Sequence, residues 1–217
     1  MKFFGYEGPI MSFLSKVADL LFLNVLTLIF SIPLVTIGAA TTAAHFAALK
    51  IHRDEGHVWS SFWRSFKVNL KQSTGIWLII VAYCFLAITS LGIASQMSGK
   101  IAGVIQGIVV ATLIITAFVY VWIMPLQSKF INTIRATFKN SLYMAFKHLW
   151  RTVLMVILNV LPVGTLLLIF FVIGVRAMST WLLFGISVPI YWCALLYDKV
   201  FEKLEEMILG NEPIETE

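Results

Sequence analysis

Long apolar stretches alternate with short, two-faced, charge-bearing segments along this chain. No Lys, Arg, Asp or Glu occurs over residues 20–49, 72–99, 101–128, 152–175 or 177–197. Each run exceeds the ~20 residues with which a helix crosses about 30 Å of hydrocarbon. A backbone in lipid finds no water to bond, so a spanning segment closes its own hydrogen bonds and is helical. Pro33 and Gly38 interrupt the first run. Proline removes a donor and disfavours helix at the residue before it, so the first span ends near residue 32. The pattern predicts an all-α integral membrane protein in one domain, with spans over about 13–32, 74–95, 101–124, 152–175 and 180–197 and an acidic, partly helical tail over 198–217.

The segments between spans have a different period. Over residues 58–71, Arg64, Lys67 and Lys71 recur at steps of three and four, while Phe62, Phe66 and Leu70 recur at steps of four beside Val58, Trp59 and Trp63. These spacings place charge on one side of a helix and rings on the other. A second basic amphipathic helix is expected over 130–147, and an Ala/Thr-rich one over 39–52 that lies at, or dips into, the inner surface. A sixth, re-entrant crossing over 35–50 is the alternative, and it would bring the N-terminus inside. Small polar residues suit an interface better than open lipid. "SIPL" near Pro33 and "IMPL" near Pro125 are each followed by a basic helix carrying Phe-Lys, at Phe66–Lys67 and at Phe146–Lys147. Span, proline, basic helix, span thus recurs, which suggests a parallel internal repeat.

Composition agrees with the membrane class: 12% charged, 59% hydrophobic and a mean hydropathy of +0.90. The net charge of +5 is not a nucleic-acid signal, because its excess falls in short segments beside spans, where Lys and Arg set orientation. Twelve basic residues lie between spans one and two, between spans three and four, and in the tail, against Lys2, Lys16, Lys100 and Arg176 on the other side. Positive-inside then places the C-terminus in the cytoplasm and the N-terminus outside. The opening residues carry no compact apolar core with a small-residue cleavage site, so span one is expected to stay in the mature protein. Cys84 and Cys193 both sit in apolar runs, without metal spacing or a disulfide framework.

Candidate chemistry is sparse. His45, His52 and His57 lie seven and five residues apart, which does not align three nitrogens on one helical face, so no metal or other cofactor is expected. No nucleophile elbow, phosphate loop or zinc-protease motif occurs, and no catalytic residue is assigned. Gly99, Gly103 and Gly107, at steps of four, predict close helix packing. Asp19 is expected to pair with Lys16 on the same helix face. Pro33, Gly38 and Pro125 are read as structural, with Asn24 and Asn159 as interhelical hydrogen-bond partners.

"FFGYEGPIMSFLSKVADLLFLNVLTLIFSIPLVTIGAATTA", followed by "RDEGHVWSSFWRSFKVNLKQSTG", resembles the YesL family of small bacterial membrane proteins. Gly8-Pro9, Asn24, the stretch from Pro33 to Gly38, and Glu55-Gly56 carry the likeness together with residues 62–71. The resemblance implies a helical protein of the bacterial cytoplasmic membrane, commonly encoded beside sugar-uptake ABC transporters, and it transfers no catalytic residue. "EGHVWSSFWRS" is also similar to the cytoplasmic loop of sugar ABC permeases that docks into the ATPase subunit, although the Glu-Ala-Ala triplet of that loop is absent. That likeness implies a partner-binding set of Glu55, Gly56, Trp59, Phe62, Trp63, Arg64, Phe66 and Lys67. In it Glu55 and Gly56 shape the turn, the rings fill a pocket and Arg64 meets a carboxylate. The expected function is a non-catalytic accessory or regulatory subunit of a bacterial carbohydrate ABC uptake system, touching a permease, ATPase or sensor kinase. A small transporter or channel, working as a homo-oligomer, is the alternative.

Overall fold

The computed structural model describes residues 9–97, 99–160 and 184–209. Helix α1 (Pro9–Ser31) leads through a 3-10 turn at Leu34–Thr36 into α2 (Ile37–His52). Then come α3 (Val58–Ser95), α4 (Lys100–Lys129) and α5 (Ile134–Lys147). A short apolar helix, α6 (Leu149–Val160), and α7 (Ser187–Leu209) complete the described chain. No strand occurs among these residues. Four helices are long and apolar enough to cross a membrane: Ile10–Ser31, Leu34–His52, Val58–Ser95 and Lys100–Lys129. The spans expected over 152–175 and 180–197 fall partly outside the described residues.

The central element is α2. It packs against α1, α3, α4 and α7, and Ala39, Ala40, Ala43, Ala44, Ala47 and Ala48 have no exposed surface. The surface-lying helix expected over 39–52 is therefore corrected to an interior one. Its small side chains let neighbouring backbones approach, which is how helices associate without a solvent-driven hydrophobic term. The closest approach is at Gly38, where an added Cβ would fall on the Ser73 carbonyl oxygen and 2.5 Å from the Trp77 Cβ. Thr42 Oγ1 seals the same crossing with a 3.0 Å hydrogen bond to Ser73 Oγ.

The basic helix and the second span are one helix. α3 runs unbroken for 38 residues, about 57 Å at 1.5 Å per residue, far more than the hydrocarbon requires. The expected boundary between a basic helix ending at residue 71 and a span starting at 74 is absent, although glycine costs up to ~1 kcal/mol in a helix. Packing on both sides overrides that preference: Ser73 meets α2, and the Ile134 side chain lies 3.7 Å from where a Gly75 Cβ would sit. Pro125 is likewise inside α4, not at its end. Residues 121–128 around it are all buried, where neighbours can hold a proline-weakened turn. The two proposed repeat units consequently differ. Pro33 separates two helices while Pro125 does not, and the second basic helix ends at Lys147 instead of fusing to the next apolar segment.

One ion pair revises the topology. Lys16 Nζ lies 2.9 Å from Asp54 Oδ2, so Lys16 does not take up the expected pairing with Asp19. The start of α1 and the α2–α3 connection thus share one end of the bundle. Residues in contact cannot lie across a bilayer from each other, so Lys16 is not on the side opposite Asp54 where it was expected. α2 returns the chain to the end of the bundle from which α1 starts, and Leu34–His52 is itself long and apolar enough to cross.

Beyond the level of α2, α3 and α4 form a hairpin with a thin interface of Ile76, Ile80, Val119, Ile123 and Met124. Its outer faces carry large exposed apolar side chains, among them Phe85, Leu86, Ile88, Ile101 and Val104. That is the composition of a lipid-facing surface. No described atom lies within 4 Å of a Cβ built at Gly103 or Gly107, so the glycine stripe does not serve α3–α4 packing.

Candidate functional site

The charged end of the bundle gathers most of the polar chemistry. α2 stops at Arg53, whose N–H bonds the Leu49 and Ile51 carbonyls. The chain then turns through Asp54 (φ 54°) and Gly56 (φ 75°), both in the left-handed region that glycine enters at little cost. Lys50 bonds Glu55 across this turn; that hydrogen bond first, with the Lys50, Arg53 and Lys129 charges, holds the Glu55 carboxyl below its ordinary range against the opposing effect of burial. Glu55 and Gly56 thus lie in the tight turn that starts α3.

The aromatic face of α3 points inward. Phe30 of α1 packs on Phe62, Trp63 and Phe66 at ring distances of 5.5, 5.5 and 4.9 Å. Phe62 has no exposed surface and Phe66 has 7%, so neither is free to fill a pocket in a partner. That corrects the expected docking set, and the physical reason is the apolar end of α1, which covers the same face. Trp59 stays half exposed and stacks on Trp63 at 5.9 Å. Lys67 Nζ sits 5.3 Å from the centre of the Trp63 ring. Trp59, Arg64, Lys67 and Val68 remain as an exposed strip on α3. Beside it opens a cleft of about 490 Å³ between α2, α3 and the end of α4, lined among others by Phe46, Lys50, Glu55, Ser61, Arg64 and Val68.

Behind the cleft lies an ion-pair network that sequence reasoning missed. Arg53 Nε donates to Asp198 Oδ1 at 2.8 Å, and Nη2 lies 2.6 Å from the same oxygen. The second contact is ionic, since Nη2 is off the hydrogen-bond line. His52 Nε2 is 3.3 Å from Asp198 Oδ2, and Glu205 bridges Arg53 at 3.6 Å to Lys129 at 2.6 Å. The network clamps α7 to the ends of α2 and α4. An Asp directly after a long apolar run was its only sequence signal. The three histidines part company: His45 is buried against Tyr197, His52 faces Asp198 and His57 is exposed.

Deeper polar groups tie helices together. Asn24 Oδ1 accepts from the Ile186 and Ser187 N–H groups at 3.0 and 2.9 Å, which anchors the start of α7 to α1. Asn159 Nδ2 reaches Cys193 Sγ of α7 at 3.3 Å. Gln127 joins Asn69 of α3 at 3.2 Å and Thr137 of α5 at 3.1 Å. Each of these groups has a protein partner, as buried polar atoms require.

Buried small-residue helices, a lipid-facing hairpin and one charged end define a multi-pass helical membrane protein. Residues 20–91 match the family described as "Protein of unknown function, DUF624". The chain is 32% identical over 148 residues to "Uncharacterized protein YesL" of Bacillus subtilis (strain 168), covering 66% of this chain and 69% of that one. This chain belongs to the YesL (DUF624) family. No solved structure matches it.

Proposed function

We propose that this protein is a non-catalytic accessory or regulatory membrane subunit of a bacterial carbohydrate ABC uptake system. Its charged end faces the cytoplasm and contacts a permease, an ATPase or a sensor kinase. The observation that carries the reading is the exposed strip of Trp59, Arg64, Lys67 and Val68, set on a helix about 57 Å long whose first turns reach past the hydrocarbon. A half-exposed tryptophan beside cations is the composition of an interface anchor. The likeness of residues 55–65 to the permease loop supplies the partner class. Lys16, Lys50, Arg53 and Lys129 meet at this end while Lys100 opens α4 at the other, and that imbalance supports cytoplasmic placement.

The test is purification from native membranes in gentle detergent, in parallel with a Trp59→Ala/Arg64→Glu variant. A transporter component that accompanies the wild type and is lost from the variant is the expected result. Its absence from the wild-type preparation would refute the proposal. The cleft, with Lys50, Glu55 and Arg64 in its wall, favours a second reading, a small oligomeric carrier of a polar solute. Flux of oligosaccharides into liposomes containing only this protein would establish that reading instead.

A further inference from the structure

We propose that the groove between the α5–α6 corner and the C-terminal half of α7 binds the phosphate headgroup of an anionic membrane lipid. Lys147 ends α5, Arg151 lies in the first turn of α6, and Lys199 and Lys203 stand one turn apart on α7. The four line a single cavity of about 370 Å³. Among the described residues none of them is within 4.0 Å of a carboxylate, whereas Lys16, Lys50, Arg53 and Lys129 all are. The acids that α7 turns inward, Asp198 and Glu205, are engaged by His52, Arg53 and Lys129, while Glu202 and Glu206 are exposed. Like charges one turn apart repel, so four gathered cations leave a site that an anion completes. His148 at the back of the groove senses that field. Burial first, and then Arg151, Lys147 and Lys203, hold its imidazole below the ordinary range.

The walls favour a lipid over a free anion. Leu204 and the 54% exposed Met207 provide apolar lining beside the cations, with Met144 and Val200 buried behind them; acyl chains would cover the exposed part and a soluble phosphate would leave it bare. Trp150 (73% exposed) and Leu149 (49%) flank the groove where α6 enters its apolar stretch, and tryptophan belongs at headgroup depth. Basic pockets between helices on the cytoplasmic side are the form that headgroup sites take.

Native mass spectrometry of the full-length, delipidated protein tests this, with phosphatidylglycerol, phosphatidylcholine of the same chains, and inorganic phosphate as separate arms. Phosphatidylglycerol is expected to bind at least about tenfold more tightly than phosphatidylcholine. Each cation near an anionic headgroup is worth about fivefold, so Arg151→Gln/Lys203→Gln should weaken phosphatidylglycerol roughly 25-fold. Lys71→Gln, which removes a charge from α3 outside the groove, should change it by less than about twofold. If the double groove variant fails to fold, Lys199→Gln alone should still lower affinity about fivefold. Equal binding of the two lipids, an equal loss in the α3 variant, or inorganic phosphate binding as tightly as the lipid overturns the proposal.

Discussion

α2 and the outer halves of α3 and α4 are both apolar, yet they do opposite things. α2 is built from alanine, threonine and glycine and is buried by four neighbouring helices. The hairpin is built from Phe, Leu, Ile and Val and presents them outward, with Phe85 at 69% and Ile88 at 65% exposure. In water the larger side chains would be inside. In a bilayer a bulky apolar group gains little by moving from lipid to protein, so the interior selects residues that let backbones meet. Side-chain size, not hydropathy, separates the two regions.

The largest expected effect comes from giving α2 a hairpin-like residue at its tightest point. Gly38→Leu would drive a side chain into the Ser73 carbonyl, at a cost of about 3 kcal/mol or more, read as a lowered thermal midpoint in detergent. An unchanged midpoint would mean that α2 does not cross α3 there. Asp198→Ala follows. It leaves the Arg53 guanidinium half buried without its carboxylate and should cost about 2 kcal/mol, with α7 becoming the first segment cut in limited proteolysis. On the hairpin, Phe85→Ala should shift the same midpoint by less than about 0.5 kcal/mol, since lipid fills the space. A large loss there would reveal a covered face instead of an open one. The smallest effect is at Glu55. Its carboxyl is held low by Lys50, so its contribution is present above the ordinary carboxylate pKa of ~4.3 and fades as pH falls through the lower folded value. Glu55→Gln should flatten that part of a midpoint-versus-pH curve. A curve identical to wild type would mean that the Lys50 contact is absent in solution.

The membrane class, the end of α1 before Pro33 and the basic face of α3 were legible because charge gaps, proline and helical period are local signals. The position of α2 was not. A run of Ala and Thr is compatible with an interface or an interior, and only the facing Ser73 and Trp77 decide between them. The expected boundaries near residue 71 and at Pro125 also failed, because neighbouring helices hold the backbone there. In the candidate site, the turn at Glu55–Gly56 and the exposure of Arg64 and Lys67 follow from local pattern. The loss of Phe62 and Phe66 to the interior depends on Phe30, 32 and 36 positions away, and the Arg53–Asp198 clamp links residues 145 apart.

An uninterrupted α3 also has a mechanical meaning. It is pinned where Gly38 meets Ser73 and Trp77, and from there to Ser95 it extends about 33 Å. Each degree of tilt about that point therefore swings the far tip by ~0.6 Å.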